Sequence, residues 1–412
     1  MSRNKNSSRK QPAASRSTAS RGHSDDANSR GEPGQRRKPR WTHKALALLV
    51  GCLLSFVILE VFLRWYDPFA LRIKYGRLSL PCNRKLVIEN DRIDRIDKRI
   101  IHTRNSIGFR GPDPPPDFDD RLTIITVGGS TTECFYLSDG KTWPDQVAGR
   151  LSGARDDIWL NNAGLDGHST HGHLFLLENF LVPLRPRVVV FLVGLNDVAH
   201  KGNRFDSGLA DNLDLKPDMG SRIYQSLVET YAVFSVYDNW RRTSQADEKG
   251  LVHWNLGHDQ LKWSAENAPS LQAEQIEAEL ETHRKTYLEK YRKQLEAMVT
   301  VCKRNGIQPV FLTQPALYGD ALDDETGIDL GRMAVGPLNG LAKWQTLELY
   351  NGVTREVARN RKVHLIDVAR KMPKSTRLFY DHHHVTNEGA ETIGRIVAGE
   401  LVGYLDREFP AN

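Results

Sequence analysis

The stretch "RLTIITVGGSTTEC", residues 121–134, joins a short apolar run to two glycines and a serine. The run "RLTIITV" (121–127) is rich in β-branched residues and predicts a strand that is buried on both faces. The glycines allow a tight turn, and Ser130 then falls at or near the start of a helix, beside unpaired backbone N–H groups. The alternative interpretation of Ser130 is a helix N-cap, with Ser-Thr-Thr-Glu as a capping arrangement.

Strand and helix patterns alternate along the rest of the chain. Further strands are predicted within "DIWLNNAG" (157–164), "RVVVFLVG" (187–194), "QPVFLTQP" (308–315) and "KVHLIDV" (362–368). Helices are predicted at 142–152, 173–184, 272–304, 341–360 and from about 387. Apolar strands separated by helices indicate a three-layer, flavodoxin-like α/β fold with a parallel sheet of roughly five strands. In the long predicted helix at 272–304, apolar residues recur at three-to-four spacing. They predict its core face as Leu280, Tyr287, Tyr291, Leu295, Met298 and Cys302.

The N-terminal part predicts a membrane anchor. Residues 1–43 form a basic tail without an aliphatic run, which indicates disorder. Residues 44–65 contain "ALALLVGCLLSFVILEVFL" (45–63), in which Glu60 is the only charge, and 19 helical residues span roughly 28 Å. A buried core helix and a cleaved signal peptide are the alternatives, but the basic flank and the missing cleavage site favour an uncleaved anchor. The positive flank predicts a cytoplasmic N-terminus and an outward-facing chain after about residue 65, with a cytoplasmic C-terminal domain as the alternative.

The positive charge belongs to the tail. The 412-residue chain has a formal net charge of +6, and residues 1–44 hold twelve Lys/Arg against three Asp/Glu, a net of +9. The other 368 residues therefore sum to −3. A near-neutral globular part does not suggest nucleic-acid binding, and the helix makes a membrane the expected partner. The simpler interpretation of the tail is that its charge only sets the topology of the helix. The more specific interpretation is that it binds anionic lipid headgroups.

Two segments interrupt the alternating pattern. Residues 66–118 are predicted as a connector ending in "NSIGFRGPDPPPDFDD" (105–120), because Pro and Asp disfavour helix and strand. The domain 119–410 then contains an insertion at about 198–271, which includes Trp254 and Trp263. A lid or sugar-contacting surface is one interpretation of this insertion, and an ordinarily packed insertion is the other.

The cysteines constrain the fold little. Cys52 lies in the predicted anchor, which leaves Cys82, Cys134 and Cys302 without a CxxC pair or zinc spacing. One disulfide could form in an oxidising compartment, and the sequence does not select it.

Polar groups follow the predicted strands where their carboxyl ends should meet. "NNAGLDGHST" brings Gly164, which can approach a ligand with a bare N–H, and "VGLNDV" brings the amide of Asn196. The last strand is followed by "YDHHHVTNEG" (380–389), with Asp381 and His384. A hydroxyl, neutral donors, an imidazole and a carboxylate are what ester cleavage through a tetrahedral oxyanion requires.

In these residues the chain resembles a membrane-anchored member of the SGNH subgroup of the GDSL esterase family. Its four sequence blocks appear in order in "GGST", "NAGLDG", "GLND" and "DHHHVTNEG", and "NSIGFRG" matches the lead-in of anchored members. One departure is "GGS" in place of the more usual "GDS". The resemblance implies a catalytic Ser130, His384 as its general base and Asp381 orienting the imidazole. It also implies an oxyanion hole made by the Ser130 N–H, the Gly164 N–H and the Asn196 side chain, with Asp197 bracing the loop.

The resemblance implies a serine esterase without a cofactor or metal, which acts on ester-linked acyl groups of an envelope polysaccharide, glycan or lipid, with acetyl expected. An O-acyltransferase using a sugar hydroxyl is the alternative within the same chemistry. A different class is a metal protein with Asp381, His382 and His384 as ligands, for which "HSTHGH" (168–173) is the candidate second cluster. A third class is a scaffold that has lost activity.

Overall fold

The computed structural model describes residues 41–66, 73–74, 77–78, 80, 84–199, 219–234, 236–237 and 269–410. Nearly all of the predicted tail, most of the insertion including Trp254 and Trp263, and Cys82 lie outside these residues. By its internal contacts the chain divides into two units, Met1–Ile58 and Leu59–Asn412.

Helix α1, Trp41–Trp65, matches the predicted anchor. Its stretch His43–Trp65 is 23 residues long, the most apolar 18-residue window has a mean hydropathy of 2.7, and the stretch is long and apolar enough to cross a membrane. At a rise of 1.5 Å per residue, such a helix reaches across the roughly 30 Å of a hydrocarbon core.

The second unit is built around five parallel strands. An antiparallel hairpin precedes them, formed by β1 (Arg84–Glu89) and β2 (Arg99–Arg104). The five parallel strands are β3 (Leu122–Gly128), β4 (Ile158–Asn162), β5 (Val188–Val193), β6 (Gln308–Thr313) and β7 (His364–Ile366). Their order in the sheet is β7-β6-β5-β3-β4, and every neighbouring pair is parallel. The sequence prediction of a parallel sheet of about five strands is therefore confirmed. Two-residue pairs occur at Ile73–Lys74 with Arg77–Leu78 and at Ala334–Val335 with Leu338–Asn339.

Helices cover both faces of the sheet. After α1 they are α2 (Ser130–Glu133), α3 (Trp143–Ser152), α4 (Thr170–Leu176), α5 (Val182–Leu184), α6 (Met219–Thr230), α7 (Ala273–Thr286), α8 (Leu288–Arg304), α9 (Gly340–Arg361), α10 (Val368–Lys371) and α11 (Asn387–Glu408). A π-helical turn, Leu177–Leu181, joins α4 to α5, and 3₁₀ turns occur at Phe118–Asp120 and Leu195–Asp197.

Strand β5 shows why the core forms two layers. It is buried along its whole length, and alternate side chains of a strand point to opposite faces. Val190 and Leu192 contribute to the cluster that includes α3 and α11, whereas Val189 and Phe191 contribute to the cluster that includes α8 and α9. The chain therefore has the three-layer α/β architecture that its apolar strands predict.

The long predicted helix at 272–304 is two helices that meet at Tyr287. Its predicted core face is otherwise correct, because all but one of the six residues are buried and Tyr287 itself is half-buried. The backbone of Tyr287 has φ −118° and ψ −37°, which breaks the regular path between α7 and α8.

The predicted connector 66–118 is wrong for its second half. Residues 84–104 form the hairpin β1–β2, and its Ile88 and Ile100 are buried in the same core cluster as α3. Phe109 joins the cluster on the other face of the sheet. The charges of this segment conceal a one-sided alternation, because β2 buries every second side chain. The hairpin belongs to the α/β domain.

The strand order reverses its direction at β3. β3 lies between β4 and β5, so the chain first moves outward from β3 to β4 and then returns to the other side of β3. In open α/β sheets such a reversal leaves a ligand site beside the carboxyl ends of these strands. Ser130 lies two residues after the end of β3.

Candidate active site

Ser130 is the first residue of α2, two positions after the end of β3. Gly129 is the N-cap and has extended backbone angles, and no side chain caps this helix. The alternative interpretation of Ser130 as an N-cap is therefore wrong. The hydroxyl is free to point toward the loop that follows the sheet's last strand.

Ser130, His384 and Asp381 form one hydrogen-bonded line. Ser130 Oγ lies 2.8 Å from His384 Nε2, and His384 Nδ1 lies 2.5 Å from Asp381 Oδ2. Asp381 is 7% exposed, whereas Ser130 and His384 are half-buried. The sequence places the serine and the histidine 254 residues apart, and the fold joins them at the carboxyl edge of the sheet.

The loop that carries His384 is held from three sides. Asp381 Oδ1 accepts hydrogen bonds from the backbone N–H of His383 at 2.9 Å and of His384 at 2.6 Å. The N–H of Tyr380 donates to the His384 carbonyl at 3.0 Å, and Leu317 N–H donates to the His382 carbonyl at 3.0 Å. These bonds fix the direction of the imidazole before any substrate binds.

Burial and charge act in opposite directions on this pair. Burial would raise the pKa of Asp381, but the positive charge of His384 and His383 and the hydrogen bonds from both residues lower it well below its usual range. Burial would lower the pKa of His384. The negative charge of the Asp381 carboxylate and its hydrogen bond to the ring have the larger effect, so the pKa of His384 is raised. The arrangement stabilises an imidazolium beside a carboxylate, as a base needs after taking a proton from serine.

Asn196 lies against the backbone that precedes Ser130. Its Nδ2 donates to the His168 carbonyl at 2.9 Å, which leaves its second N–H for another acceptor. A Cβ atom on Gly129 would lie 2.2 Å from Asn196 Nδ2, so only glycine lets this amide approach so closely. Gly129 thus leaves the space that the Asn196 amide occupies in this chain.

The predicted role of Gly164 is not supported by its contacts. Its N–H donates to Asn162 Oδ1 at 2.8 Å, and Asn162 Nδ2 donates to the Thr132 carbonyl at 2.7 Å. A Cβ atom on Gly164 would lie 2.3 Å from the Glu133 nitrogen. Gly164 therefore lets the turn after β4 pack closely on α2. Its N–H is bonded within that turn instead of facing an oxyanion.

A buried ion pair braces α2, and the sequence analysis missed it. The guanidinium of Arg104 bonds Glu133 Oε1, and both side chains are almost completely buried. The other carboxylate oxygen of Glu133 accepts the N–H of Asp166 at 2.8 Å. Glu133 thus connects the hairpin, helix α2 and the turn after β4.

Arg110 adds a second brace from the "NSIGFRG" lead-in. Its guanidinium donates to the carbonyls of Glu133 at 2.8 Å and Cys134 at 2.7 Å, which end α2. It also bonds the Leu137 carbonyl and the Asp139 carboxylate, both at 2.8 Å. The sequence signal for this brace was only the presence of Arg110 in the predicted connector. Its burial requires several hydrogen-bond acceptors, which the carbonyls and the carboxylate supply.

The three adjacent histidines separate into different surroundings. His382 Nε2 faces the Ala334 carbonyl at 3.3 Å. His383 instead lies beside His384, with ring centroids 4.3 Å apart. The proposed metal set of Asp381, His382 and His384 is therefore wrong, because the segment turns around Asp381 and the alternation of an extended strand does not apply. The described part of the chain shows one grouping with metal-ligand geometry, Asp381 with His383 and His384, and none at 168–173.

Two of the cysteines left open by the sequence are now placed. Cys134 and Cys302 are buried free thiols, and burial raises the pKa of each to about 12. A disulfide between them is absent from the described residues. Cys82 lies outside the described part of the chain.

Asp197 is buried in the turn that carries Asn196. Its carboxylate accepts the Thr170 hydroxyl at 2.5 Å and the Thr170 N–H at 3.1 Å, which ties the turn after β5 to the start of α4. Burial raises the pKa of Asp197 to about 6, although the bonds from Thr170 oppose this shift. The contacts agree with a bracing role.

We expect Asp197 to make the folded state more stable in mild acid. Because its folded pKa is raised to about 6 from 3.8, its contribution is fully present below the unfolded pKa and is lost as the pH rises through 6. The loss is on the order of 2–3 kcal/mol. Urea unfolding of the wild type and of Asp197→Asn at pH 4.5 and 7.5 measures it. Asn keeps an acceptor for Thr170 but does not titrate, so a pH dependence that is equal in both proteins would contradict the assignment.

A parallel α/β sheet that brings a serine, an imidazole, a carboxylate and an asparagine amide to its carboxyl edge is the architecture of an SGNH-type hydrolase. The sequence profile of the GDSL-like lipase/acylhydrolase family matches residues 126–392. The chain therefore belongs to this family and is a GDSL-type esterase or acylhydrolase.

Solved structures with a detectable likeness are distant. An acetyl xylan esterase is 14% identical, with 68% of this chain and 100% of that chain covered and a TM-score of 0.38. A putative GDSL-like lipase from Parabacteroides merdae is 12% identical over 68% of this chain and 95% of that one, with a TM-score of 0.39. An acetyl xylan esterase variant from Geobacillus stearothermophilus is 13% identical over 68% and 94%, with a TM-score of 0.38. No curated protein matches the chain.

Proposed function

We propose that the protein is a serine esterase that cleaves ester-linked acyl groups, acetyl first among them, through an acyl-enzyme. The observation that carries this proposal is the hydrogen-bonded line from Ser130 Oγ through His384 to Asp381, with distances of 2.8 and 2.5 Å. A nucleophile within hydrogen-bond reach of a base, which a third group orients, is the arrangement that covalent catalysis needs.

In the first half-reaction, Ser130 Oγ attacks the ester carbonyl carbon while its proton passes to His384 Nε2. The carbonyl oxygen becomes an oxyanion, which Asn196 Nδ2 and the Ser130 N–H bind. The C–O bond to the leaving alcohol then breaks, and His384 returns the proton to that alcohol. Asp381 stabilises the imidazolium throughout and keeps Nδ1 protonated.

In the second half-reaction, His384 Nε2 takes a proton from water, whose oxygen attacks the acyl carbon. The bond between that carbon and Ser130 Oγ then breaks, and His384 gives the proton to Oγ, which releases the acid and restores Ser130. A sugar hydroxyl in place of that water would make the protein an O-acyltransferase by the same steps. Incubation with p-nitrophenyl acetate, with and without an oligosaccharide acceptor, tests both. Free acetate as the main product supports the esterase, and acetylated sugar as the main product replaces it with the transferase.

The acyl group is tested with p-nitrophenyl esters of increasing chain length. We expect kcat/KM to be highest for the acetate. A maximum at a long acyl chain would overturn the acetyl assignment and retain the esterase.

We expect Asn196→Ala to lower kcat by about 10²–10³, because one oxyanion donor is lost. Asn196→Asp is the matched variant, since it keeps the shape and replaces the donor with an acceptor. Asn162→Ala is the contrasting one, because Asn162 bridges Gly164 and Thr132 and its loss should lower the melting temperature first. An Asn196 variant that retains full kcat would remove this residue from the oxyanion hole.

We further propose that helix α1 holds the esterase on the outer side of a membrane, where its substrates are acylated envelope polysaccharide, glycan or lipid. Support comes from the apolar stretch His43–Trp65 and from twelve Lys/Arg in residues 1–44, the side that stays cytoplasmic. Reporter fusions after residue 410 distinguish the two topologies. A reporter active only in the cytoplasm would overturn the proposed location.

A further inference from the structure

The loop that supplies the catalytic base also holds a second set of donor atoms. Asp381, His383 and His384 each offer one ligand atom, and these atoms lie within 4.8 Å of one another. We propose that this trio binds one divalent transition-metal ion of the zinc class and that the bound ion reversibly switches the esterase off. The switching rests on the proposed function, whereas the binding does not.

The donor atoms have to move closer together to share a single ion. Zinc lies about 2.0–2.1 Å from imidazole nitrogen and about 2.0–2.2 Å from carboxylate oxygen, so two ligands of one tetrahedral ion are about 3.3–3.5 Å apart. The observed limit of 4.8 Å exceeds this by about 1.3–1.5 Å. Rotation of the half-buried His383 side chain about its own bonds can close such a gap.

The chemistry of the donors also fits. Two imidazoles and one carboxylate form the donor set that zinc takes in open sites, which keep a fourth position for water or another oxygen. Ser130 Oγ is already 2.8 Å from His384 and is placed to be that neighbour. Asp381 is held from behind by two backbone N–H groups, which orient its carboxylate.

Occupation of this site and catalysis exclude each other. His384 uses Nε2 toward Ser130 and Nδ1 toward Asp381 in the catalytic line. A metal on Nε2 takes the lone pair that would accept the serine proton. A metal on Nδ1 displaces the proton that is shared with Asp381. Coordination breaks no covalent bond, so removal of the ion restores the enzyme.

Other strong ligands in the described part of the chain compete poorly. The thiols of Cys134 and Cys302 are buried, and burial raises the pKa of both, which disfavours the thiolate that binds zinc. His382 faces the Ala334 carbonyl and is the natural control for its neighbour His383.

The test measures binding and activity separately on the full-length, detergent-solubilised protein. Co²⁺ is titrated into Ser130→Ala, and the visible d–d absorption of the bound ion is recorded. We expect binding that weakens by about 10-fold or more when His383→Ala is added, since a direct ligand is lost, and that is unchanged with His382→Ala. Equal binding by the two histidine variants, or none by Ser130→Ala itself, would overturn the site.

The second arm measures hydrolysis of p-nitrophenyl acetate with rising Zn²⁺. We expect loss of activity in the wild type and in His382→Ala, full recovery with a chelator, and an inhibitory concentration at least about 10-fold higher in His383→Ala. Co²⁺ binding without esterase activity in the wild type would support the metal site and contradict the proposed function. Esterase activity without Co²⁺ binding would support the proposed function and contradict the metal site.

Discussion

Replacing Ser130 with alanine is expected to lower kcat for p-nitrophenyl acetate by about 10⁴–10⁶. The reason is that no acyl-enzyme can form without Oγ, so only binding and the oxyanion donors remain. The measurement is steady-state hydrolysis together with labelling by a fluorophosphonate probe, which reacts with an activated serine. Labelling should disappear with the hydroxyl.

The matched control is Thr131→Val, which removes the adjacent hydroxyl at nearly constant shape. Thr131 Oγ1 bonds Gln314 Oε1 at 3.2 Å and does not contact the imidazole line. We expect Thr131→Val to keep the probe labelling, with a modest loss of stability. The melting temperature of Ser130→Ala should stay close to that of the wild type. Labelling that persists in Ser130→Ala would show that another residue is the nucleophile.

Replacing His384 with alanine is expected to reduce kcat by a similar factor, about 10⁴–10⁶, because serine then has no base. The neighbours provide the comparison. His382→Ala and His383→Ala should each stay within about threefold of the wild type in metal-free buffer, since neither side chain touches Ser130 in the hydrogen-bonded line. A loss at His382 as large as that at His384 would refute the assignment of the base.

The parallel sheet could be predicted from sequence because its strands are apolar on both faces. Strand β5 has no polar residue to obscure the pattern, and the helices after it keep a regular spacing. The break at Tyr287 could not be predicted, because the apolar spacing continues through it. The π-helical turn Leu177–Leu181 was missed for a similar reason, although Pro183, which lacks an N–H, marks the place where regular bonding is disturbed.

The positions of Ser130, Asp381 and His384 could be predicted because each follows the end of a predicted strand. The role of Gly164 could not be predicted, because a glycine in a turn can serve close packing as readily as it presents an N–H to a ligand. The hydrogen bond from the Gly164 N–H to Asn162 is what distinguishes these two roles. The hairpin β1–β2 was hidden because its buried positions include His102 and Arg104, which sequence patterns treat as exposed.

The Arg104–Glu133 pair decides where a soluble fragment of this protein can begin. A fragment that starts at residue 119, the boundary that the sequence suggests, lacks both arginines that hold α2. It would leave the Glu133 carboxylate buried without a cation, and breaking such a pair typically costs about 3–5 kcal/mol. A fragment that starts just before Arg84 removes helix α1 and keeps the hairpin and both arginines. We expect the longer fragment to be recovered folded and the shorter one to be lost to aggregation, so helix α1 can be removed without loss of the fold only when the hairpin β1–β2 is kept.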